Sequence, residues 1–324
     1  CTMTLMPEVN IYMPAYEAQK AHIQEAVDSV LSQTVTDWTL LIQEDCSKKE
    51  DVESHIEKYM SDERITFRKN ERNVGIGPNW NACLDFGDCE YIAYLFHDDL
   101  WGPKYLEKAL EILKSNPDVG FVSMNHSYLL DGDGIDTKIY DEVQRFVKKN
   151  IHEGKHNGKE LLIWWAQQGL RPNIIGEPSF VVLRRDLIEE VGNFHETMPQ
   201  FLDSEYWIRC LQKTNWWYLT EDLGSFRVHS EAASAKNEVD GRGKFDRFEC
   251  FRMLLKTIPK EDKPQIQESF EKAFDDMIKK YIERKRSGKV IITKGSGKMK
   301  QFALRHPIFI CKALMRNAKT IDNS

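Results

Sequence analysis

Residues 9–45, VNIYMPAYEAQKAHIQEAVDSVLSQTVTDWTLLIQED, decide the fold. Val9 to Met13 is a short apolar run stopped at Pro14, the pattern of a buried strand. From Lys20 to Leu31 the apolar residues Ile23, Ala26, Val27, Val30 and Leu31 recur at helical spacing. Trp38 to Ile42 (WTLLI) is strand-like again. The same alternation continues downstream. Ser47 followed by Glu50 makes a capping box, which predicts a second helix through about Met60. Ile65–Arg68 reads as a third strand, and Pro78 suits the first turn of a helix running to about Phe86. Tyr91–Phe96 (YIAYLF) is a fourth, fully apolar strand; Pro103 opens a helix to about Leu113, and Val119–Met124 closes the series. Repeated strand–helix units with apolar strands predict an α/β fold: a mostly parallel central sheet flanked by helices, Rossmann-like in its first half.

In such sheets ligands bind beyond the carboxyl ends of the strands. The segments there are Pro14-Ala15-Tyr16, Glu44-Asp45-Cys46-Ser47, Asn73-Val74-Gly75 with Asn79-Trp80-Asn81, and His97-Asp98-Asp99. Acidic groups therefore gather along one sheet edge. Close carboxylates repel unless a cation sits between them, and a divalent metal is the usual answer. A metal at the edge of a nucleotide-binding sheet points to a diphosphate. No G-x-x-x-x-G-K-[ST] and no G-x-G-x-x-G follows the first strand, which removes the main support for a P-loop phosphotransferase or a nicotinamide enzyme.

The chain has 324 residues, 41% of them hydrophobic and 11% aromatic, ample for a packed core. Its net charge of -6 gives no overall attraction to nucleic acid. The charge is uneven: Lys279 to Lys319 holds thirteen Lys/Arg against Glu283 alone, or +12, so the remainder carries -18. Seven cysteines, odd in number and without a C-x-x-C pair, predict reduced thiols and a cytoplasmic setting rather than zinc or disulfides. No run of about 18 apolar residues predicts a spanning helix, and the N-terminus lacks a signal-peptide pattern. The chain begins with Cys1 rather than Met, which leaves its true start open.

Five stretches together resemble family 2 glycosyltransferases, which have the GT-A fold. They are the opening stretch above, NVGIGPNWNACLDFGDCEYIAYLFHDDLWGPKYLEKAL (73–110), GEPSFVVLRRDLIEEVGNF (176–194), FLDSEYWIRCL (201–211) and FRVHSEAAS (226–234). They stand in the family's order over about residues 8 to 235. The resemblance implies a metal-dependent enzyme that moves a sugar, with inversion, from a nucleotide-diphosphate donor (UDP or dTDP) to a hydroxyl of a glycan or lipid-linked acceptor, in surface polysaccharide synthesis. It places Pro14, Ala15, Tyr16, Glu44, Asp45, Asn79 and Asp98 at the nucleotide. Asp98, with Asp99 beside it, falls where the family's D-x-D motif binds Mn2+ or Mg2+. Asp203 falls at the general base, Arg227 and His229 at the diphosphate, and Glu177, Pro178 and Ser179 at the acceptor. Two departures stand out. Phe96 replaces the first Asp of D-x-D, and Leu202 replaces the Glu that usually precedes the base, with Glu205 a nearby alternative carboxylate.

The implied chemistry is coherent. A metal held by Asp98 can absorb leaving-group charge. Arg227 offers a fixed fork of donors to phosphate oxygens. A carboxylate at 203 can take the acceptor proton. Taken singly, the same residues have simpler readings: Asp98 and Asp99 as a helix start, Pro14 as a strand terminator, and His229 as a structural hydrogen-bonder. Trp80, Trp164, Trp165, Trp216 and Trp217 read as packing residues. Two alternatives remain. One is a sugar nucleotidyltransferase, which normally has a glycine-rich basic loop where Pro14-Ala15-Tyr16-Glu17 stands. The other is a sugar-nucleotide-binding protein without catalysis.

The expected organisation is a nucleotide-sugar-binding half (1–125), an acceptor-binding half (126–235) and a helical, basic C-terminal extension (236–324). A polar stretch, DGDGIDTK, precedes a predicted helix over Lys159–Gln168, and residues 242 to 286 read as helical. The last forty residues mix Lys/Arg with Phe302, Leu304, Ile308, Phe309, Ile310, Leu314 and Met315. Such a segment can lie on the inner face of a membrane as a peripheral contact, pack on the body, or stay disordered.

Overall fold

A computed structural model of the chain describes residues 7–132, 135, 137–198, 200–229, 245–287 and 302–322. The chain divides into two compact units, 1–159 with 173–197 and 202–230, and 160–172 with 198–201 and 231–324. The first holds the sheet. Its strands are β1 (Val9–Ala15), β2 (Trp38–Glu44), β3 (Ile65–Lys69), β4 (Tyr91–Tyr94), β5 (Leu100–Trp101), β6 (Val119–Leu130), β7 (Gly154–His156), β8 (Val181–Arg184) and β9 (Asn215–Val228). Their order is β3-β2-β1-β4-β8-β6-β9-β5, with β7 on β9. The pairs β1–β2, β2–β3, β1–β4 and β6–β9 are parallel. β8 runs antiparallel between β4 and β6. β5 and β7 also run antiparallel to β9, so four pairings are parallel and four antiparallel. The α/β fold class read from the sequence stands, but the sheet is mixed rather than mostly parallel.

Local sequence explains the placement. All seven residues of β1 are buried, as expected of a central strand covered on both faces. β3 ends on exposed Arg68 and Lys69, charges that suit an edge strand. Helices α1 (Lys20–Leu31), α3 (Ile76–Leu84) and α4 (Tyr105–Ser115) cross between strands. α1 buries Ile23, Ala26, Val27 and Val30 of the stripe that its spacing foretells in the main core, while Leu31 at its end is exposed. Pro78 does sit in the first turn of α3.

The second helix departs from expectation. α2 (Val52–Ile56) starts at Asp51, whose carboxylate accepts the Ser54 N–H at 3.3 Å, and gives way to a 3-10 turn over Glu57–Tyr59. Ser47 is no cap, because strand-end loops use it: its hydroxyl accepts the Glu17 N–H at 2.7 Å and its own N–H donates to Glu44. Helix α5 (Lys138–Asn150) was not anticipated, since the polar run before it reads as loop. The helix expected at 159 is α6 (Gly158–Gln167). α7 (Arg185–Val191) and α8 (Leu202–Leu211) complete the first unit.

The start of α6 lies against the end of α8. A Cβ at Gly158 would stand 2.0 Å from the Thr214 carbonyl oxygen and 2.5 Å from that of Leu211. Neither backbone group can turn aside. Gly158→Ala is expected to lower unfolding free energy by about 1–3 kcal/mol, the usual cost of overpacking, measured by urea unfolding.

In the second unit, helices α9 (Asp246–Thr257), α10 (Lys263–Arg286) and α11 (Pro307–Asp322) carry the helical reading of the C-terminal region. Phe248, Phe251, Phe270 and Phe274 are buried among them. Residues 231–244 and 288–301, with part of FRVHSEAAS and of the basic tail, lie outside the described residues.

Candidate active site

Three polar clusters of the first unit hold the candidate residues, and the first two lie beyond the carboxyl ends of strands. The first is at β1 and β2. Asp45 is buried and its carboxylate is heavily used. Oδ1 accepts the Asn70 amide and the Val74 N–H, each at 2.8 Å, and Oδ2 accepts the Gly75 N–H at 2.9 Å. Asn70 also donates to Asn79 Oδ1 at 2.9 Å, and Asn79 donates to the Gln43 carbonyl at 3.2 Å. Glu44 is buried, accepts the Ser47 N–H, and faces Lys69 at 3.5 Å. Pro14 and Ala15 are buried, while Tyr16 is 44% exposed. Glu17 and Cys46, with φ of 51° and 56°, hold the loops in left-handed backbone, a conformation that costs non-glycine residues energy. Glu17 offsets that strain by accepting the N–H groups of Lys48, Lys49 and Glu50. Asp45 thus pins the Val74-Gly75 loop to β2. Asp45→Ala would orphan those amides and is expected to cost about 2–4 kcal/mol, read from the urea midpoint.

The second cluster follows β4. Asp98 Oδ2 lies 3.0 Å from His229 Nε2. Burial opposes its charge, yet His97 and the His229 hydrogen bond prevail and hold its pKa below the ordinary carboxylate value. Asp99 differs: it is 1% exposed, and its Oδ1 accepts the Arg227 backbone N–H at 3.0 Å. Burial and the adjacent Asp98 push its pKa well up. Arg227 donates from Nε to the Asp98 carbonyl at 2.8 Å, and its other end pairs with Glu25 of α1. Phe96, where the family has an acid, packs against Trp80 in a tilted pair with ring centroids 4.8 Å apart. Among the described residues no three His, Cys, Asp or Glu side chains form a group able to hold a metal ion. Asp98 and His229 are the only pair of described residues in this cluster whose side chains meet and could hold a metal ion. Such a pair suffices for a hard divalent cation that takes its other ligands from phosphate and water.

The third cluster surrounds Asp203 in the first turn of α8. Its carboxylate accepts the Ser204 N–H at 2.6 Å and the Asn173 amide at 2.8 Å. Burial raises its pKa to about 7; Glu177 adds to the rise, while Ser204 and Asn173 oppose it. Burial also raises Glu177. His126 Nε2 lies 3.7 Å from Glu177, and burial pushes His126 down to about 4, so it is neutral near pH 7. Glu205, the alternative carboxylate, is spent: both its oxygens accept from Arg209 at 2.8 Å. Leu202 is buried.

The segment Gly176–Ser179 joins the last two clusters. The Gly176 carbonyl receives Asn173 at 3.0 Å and the Trp207 indole at 2.9 Å, beside Asp203. Three residues later Ser179 Oγ accepts the Phe96 N–H at 3.0 Å, beside Asp98. Sequence reading missed Asn173, whose amide also accepts the Ile175 and Gly176 N–H groups, and missed His126, Glu25 and the His22–Asp131 pair at 2.8 Å. Asn173 alone carried a visible hint, standing four residues before Glu177. Trp165 and Trp216 are fully buried packing residues, as read.

The strand order and the acids at the carboxyl ends define a GT-A-type glycosyltransferase fold. Residues 10–162, just under half of the chain, match the model of Glycosyl transferase family 2. It is 28% identical over 206 residues to an uncharacterized glycosyltransferase of Methanocaldococcus jannaschii, covering 63% of this chain and 65% of that one. It is 31% identical over 121 residues to the UDP-Glc:alpha-D-GlcNAc-diphosphoundecaprenol beta-1,3-glucosyltransferase WfgD of Escherichia coli, covering 37% of this chain and 46% of WfgD. The chain thus spans under two thirds of the length of each of these relatives. Its structure is similar to that of the mannosyltransferase PcManGT of Pyrobaculum calidifontis in complex with GDP-Man and Mn2+. There the TM-score is 0.58 at 15% identity, covering 97% of this chain and 88% of that one.

Proposed function

We propose that this protein is an inverting glycosyltransferase. It moves a sugar from a UDP- or dTDP-sugar to a hydroxyl of a glycan or lipid-linked acceptor, in the cytoplasm, during surface polysaccharide synthesis. The observation that carries this reading is the Gly176–Ser179 segment, which couples the Asp98 cluster to an Asp203 carboxyl with a pKa near 7. A base poised near the working pH takes a hydroxyl proton most effectively. A single base facing the donor from the acceptor side makes single displacement, hence inversion, the simplest course. The name of WfgD supports a UDP-sugar donor and a lipid-linked acceptor, and that of the PcManGT complex, with GDP-Man and Mn2+, supports only the broader class of nucleotide-diphosphate sugar with a divalent metal.

In this reading Tyr16 and the loop pinned by Asp45 and Asn79 form the nucleotide side. Pro14, Ala15 and Glu44 shape its floor. Asp98, with His229, would hold Mn2+ or Mg2+, which when bound neutralises charge on the diphosphate. Asp99 keeps a supporting place there, fixing the Arg227 backbone, and Arg227 would turn its fork toward the phosphates. Glu177, Pro178 and Ser179 line the acceptor side. A second reading, a sugar-nucleotide-binding protein without catalysis, draws on Phe96 and on the inward-turned Asp99. A thermal-shift screen of nucleotide sugars with and without Mn2+ tests donor binding: a ligand at about 100 times its Kd adds about 2.7 kcal/mol of stability. A shift for UDP- or dTDP-sugars that needs Mn2+ is expected. Acceptor-dependent release of the nucleotide then separates enzyme from binder.

A further inference from the structure

Helix α11 is apolar on two opposite faces. One face is accounted for: Phe309 stacks on Phe270 at 4.4 Å, and Ala313 and Asn317 are buried. At 100° per residue, Ile308, Cys311 and Met315 fall on the opposite face, with Leu314 at its margin, and Leu304 lies on the short helical turn just before the helix. Leu304, Ile308 and Met315 are 81%, 73% and 67% exposed, Leu314 is 46% exposed, and Cys311 is exposed too. Burying one stripe is enough to seat a helix, so a second apolar stripe in water needs its own explanation.

Charge indicates what covers it. Exposed Arg305 and Lys312 lie along one border of the stripe. Arg316, further round, is spent on Glu271 and Asp275 at 2.9 and 2.8 Å. The sequence from Lys279 to Lys319 carries +12. An apolar stripe with a cationic border is the pattern of a helix lying in a membrane interface, where long cationic side chains reach lipid phosphates while the apolar face enters the acyl boundary. A second copy of the chain fits less well, since pairing the stripe with itself sets like cations together. Among the described residues no helix is long and apolar enough to cross a membrane. We infer that the stripe Leu304, Ile308, Cys311 and Met315, bordered by Arg305 and Lys312, docks the protein on an anionic lipid surface. This inference does not depend on the catalytic reading.

The test is co-sedimentation of the full chain with vesicles of phosphatidylcholine alone or mixed with phosphatidylglycerol. Binding to the mixed vesicles is expected, weakening as salt screens the charges. The double variant Ile308→Gln/Met315→Gln is expected to lower the bound fraction about tenfold or more, through lost apolar burial. Both side chains face water, so circular dichroism of the variant should match that of the parent. As a measurement independent of any folding change, an environment-sensitive fluorophore on Cys311, with Cys1 and Cys46 replaced by Ser, should shift to the blue on the mixed vesicles. The inference is overturned if the parent stays in the supernatant with both vesicles or the fluorophore does not respond. It is overturned equally if the double variant binds as well as the parent, or if the substitutions instead abolish a concentration-dependent self-association seen without lipid.

Discussion

Asp203→Asn is expected to lower kcat by about 10²–10⁴-fold while leaving donor binding intact, because it removes the proton acceptor. Asn fills the same volume and its oxygen can still accept the Ser204 N–H, but it gives up the Asn173 hydrogen bond, since two amide NH2 groups then face each other. In the parent, kcat/KM should rise about tenfold per pH unit up to about pH 7 and level off above it, since only the ionised carboxyl accepts a proton. The folding consequence has a definite sign. The folded-state pKa is raised above the ordinary aspartate value, so the protonated form favours the fold. That stability is fully present at low pH and is lost as pH rises through about 7. Above pH 7 the Asn variant should therefore melt higher than the parent. A variant that is inactive yet more stable has lost chemistry rather than structure.

The second large effect is at Asp98. Asp98→Asn should reduce kcat by about 10³-fold or more, a loss of several kcal/mol at the transition state. It should also remove the Mn2+-dependent part of donor binding, measured by calorimetry with and without the metal. The His229 hydrogen bond can survive with an amide at 98, so folding should change little. Asp99→Asn provides the contrast. Its side chain is turned inward, where burial and Asp98 push its pKa up and its Oδ1 holds the Arg227 backbone, so metal-dependent donor binding should persist.

Much of this was legible in the sequence where one period dominates. The fully buried β1 and β4 and the helical stripe of α1 admit few other readings, and their order places the acids of residues 44, 45, 98 and 99 at one sheet edge. The capping-box reading at Ser47 failed because tertiary contacts to Glu17 and Glu44 outbid a local helix cap. The antiparallel β8 was hidden because a four-residue strand, VVLR, carries no direction. Within the site, adjacency in sequence concealed a difference in role. Asp98 and Asp99 read as a pair, yet one keeps its charge beside two histidines and the other is buried under Arg227. The Asp203 environment was out of reach altogether. Its partners Asn173 and Glu177 lie 30 and 26 residues upstream and come from a loop that carries no periodic signal.

The most direct measurement is single-turnover transfer from a radiolabelled UDP- or dTDP-sugar to a lipid-linked glycan acceptor with Mn2+ present, with the anomeric configuration of the product read by NMR. The account predicts an inverted product whose formation needs both the metal and Asp203. A product of retained configuration, or equal turnover in the Asp203→Asn variant, would contradict it.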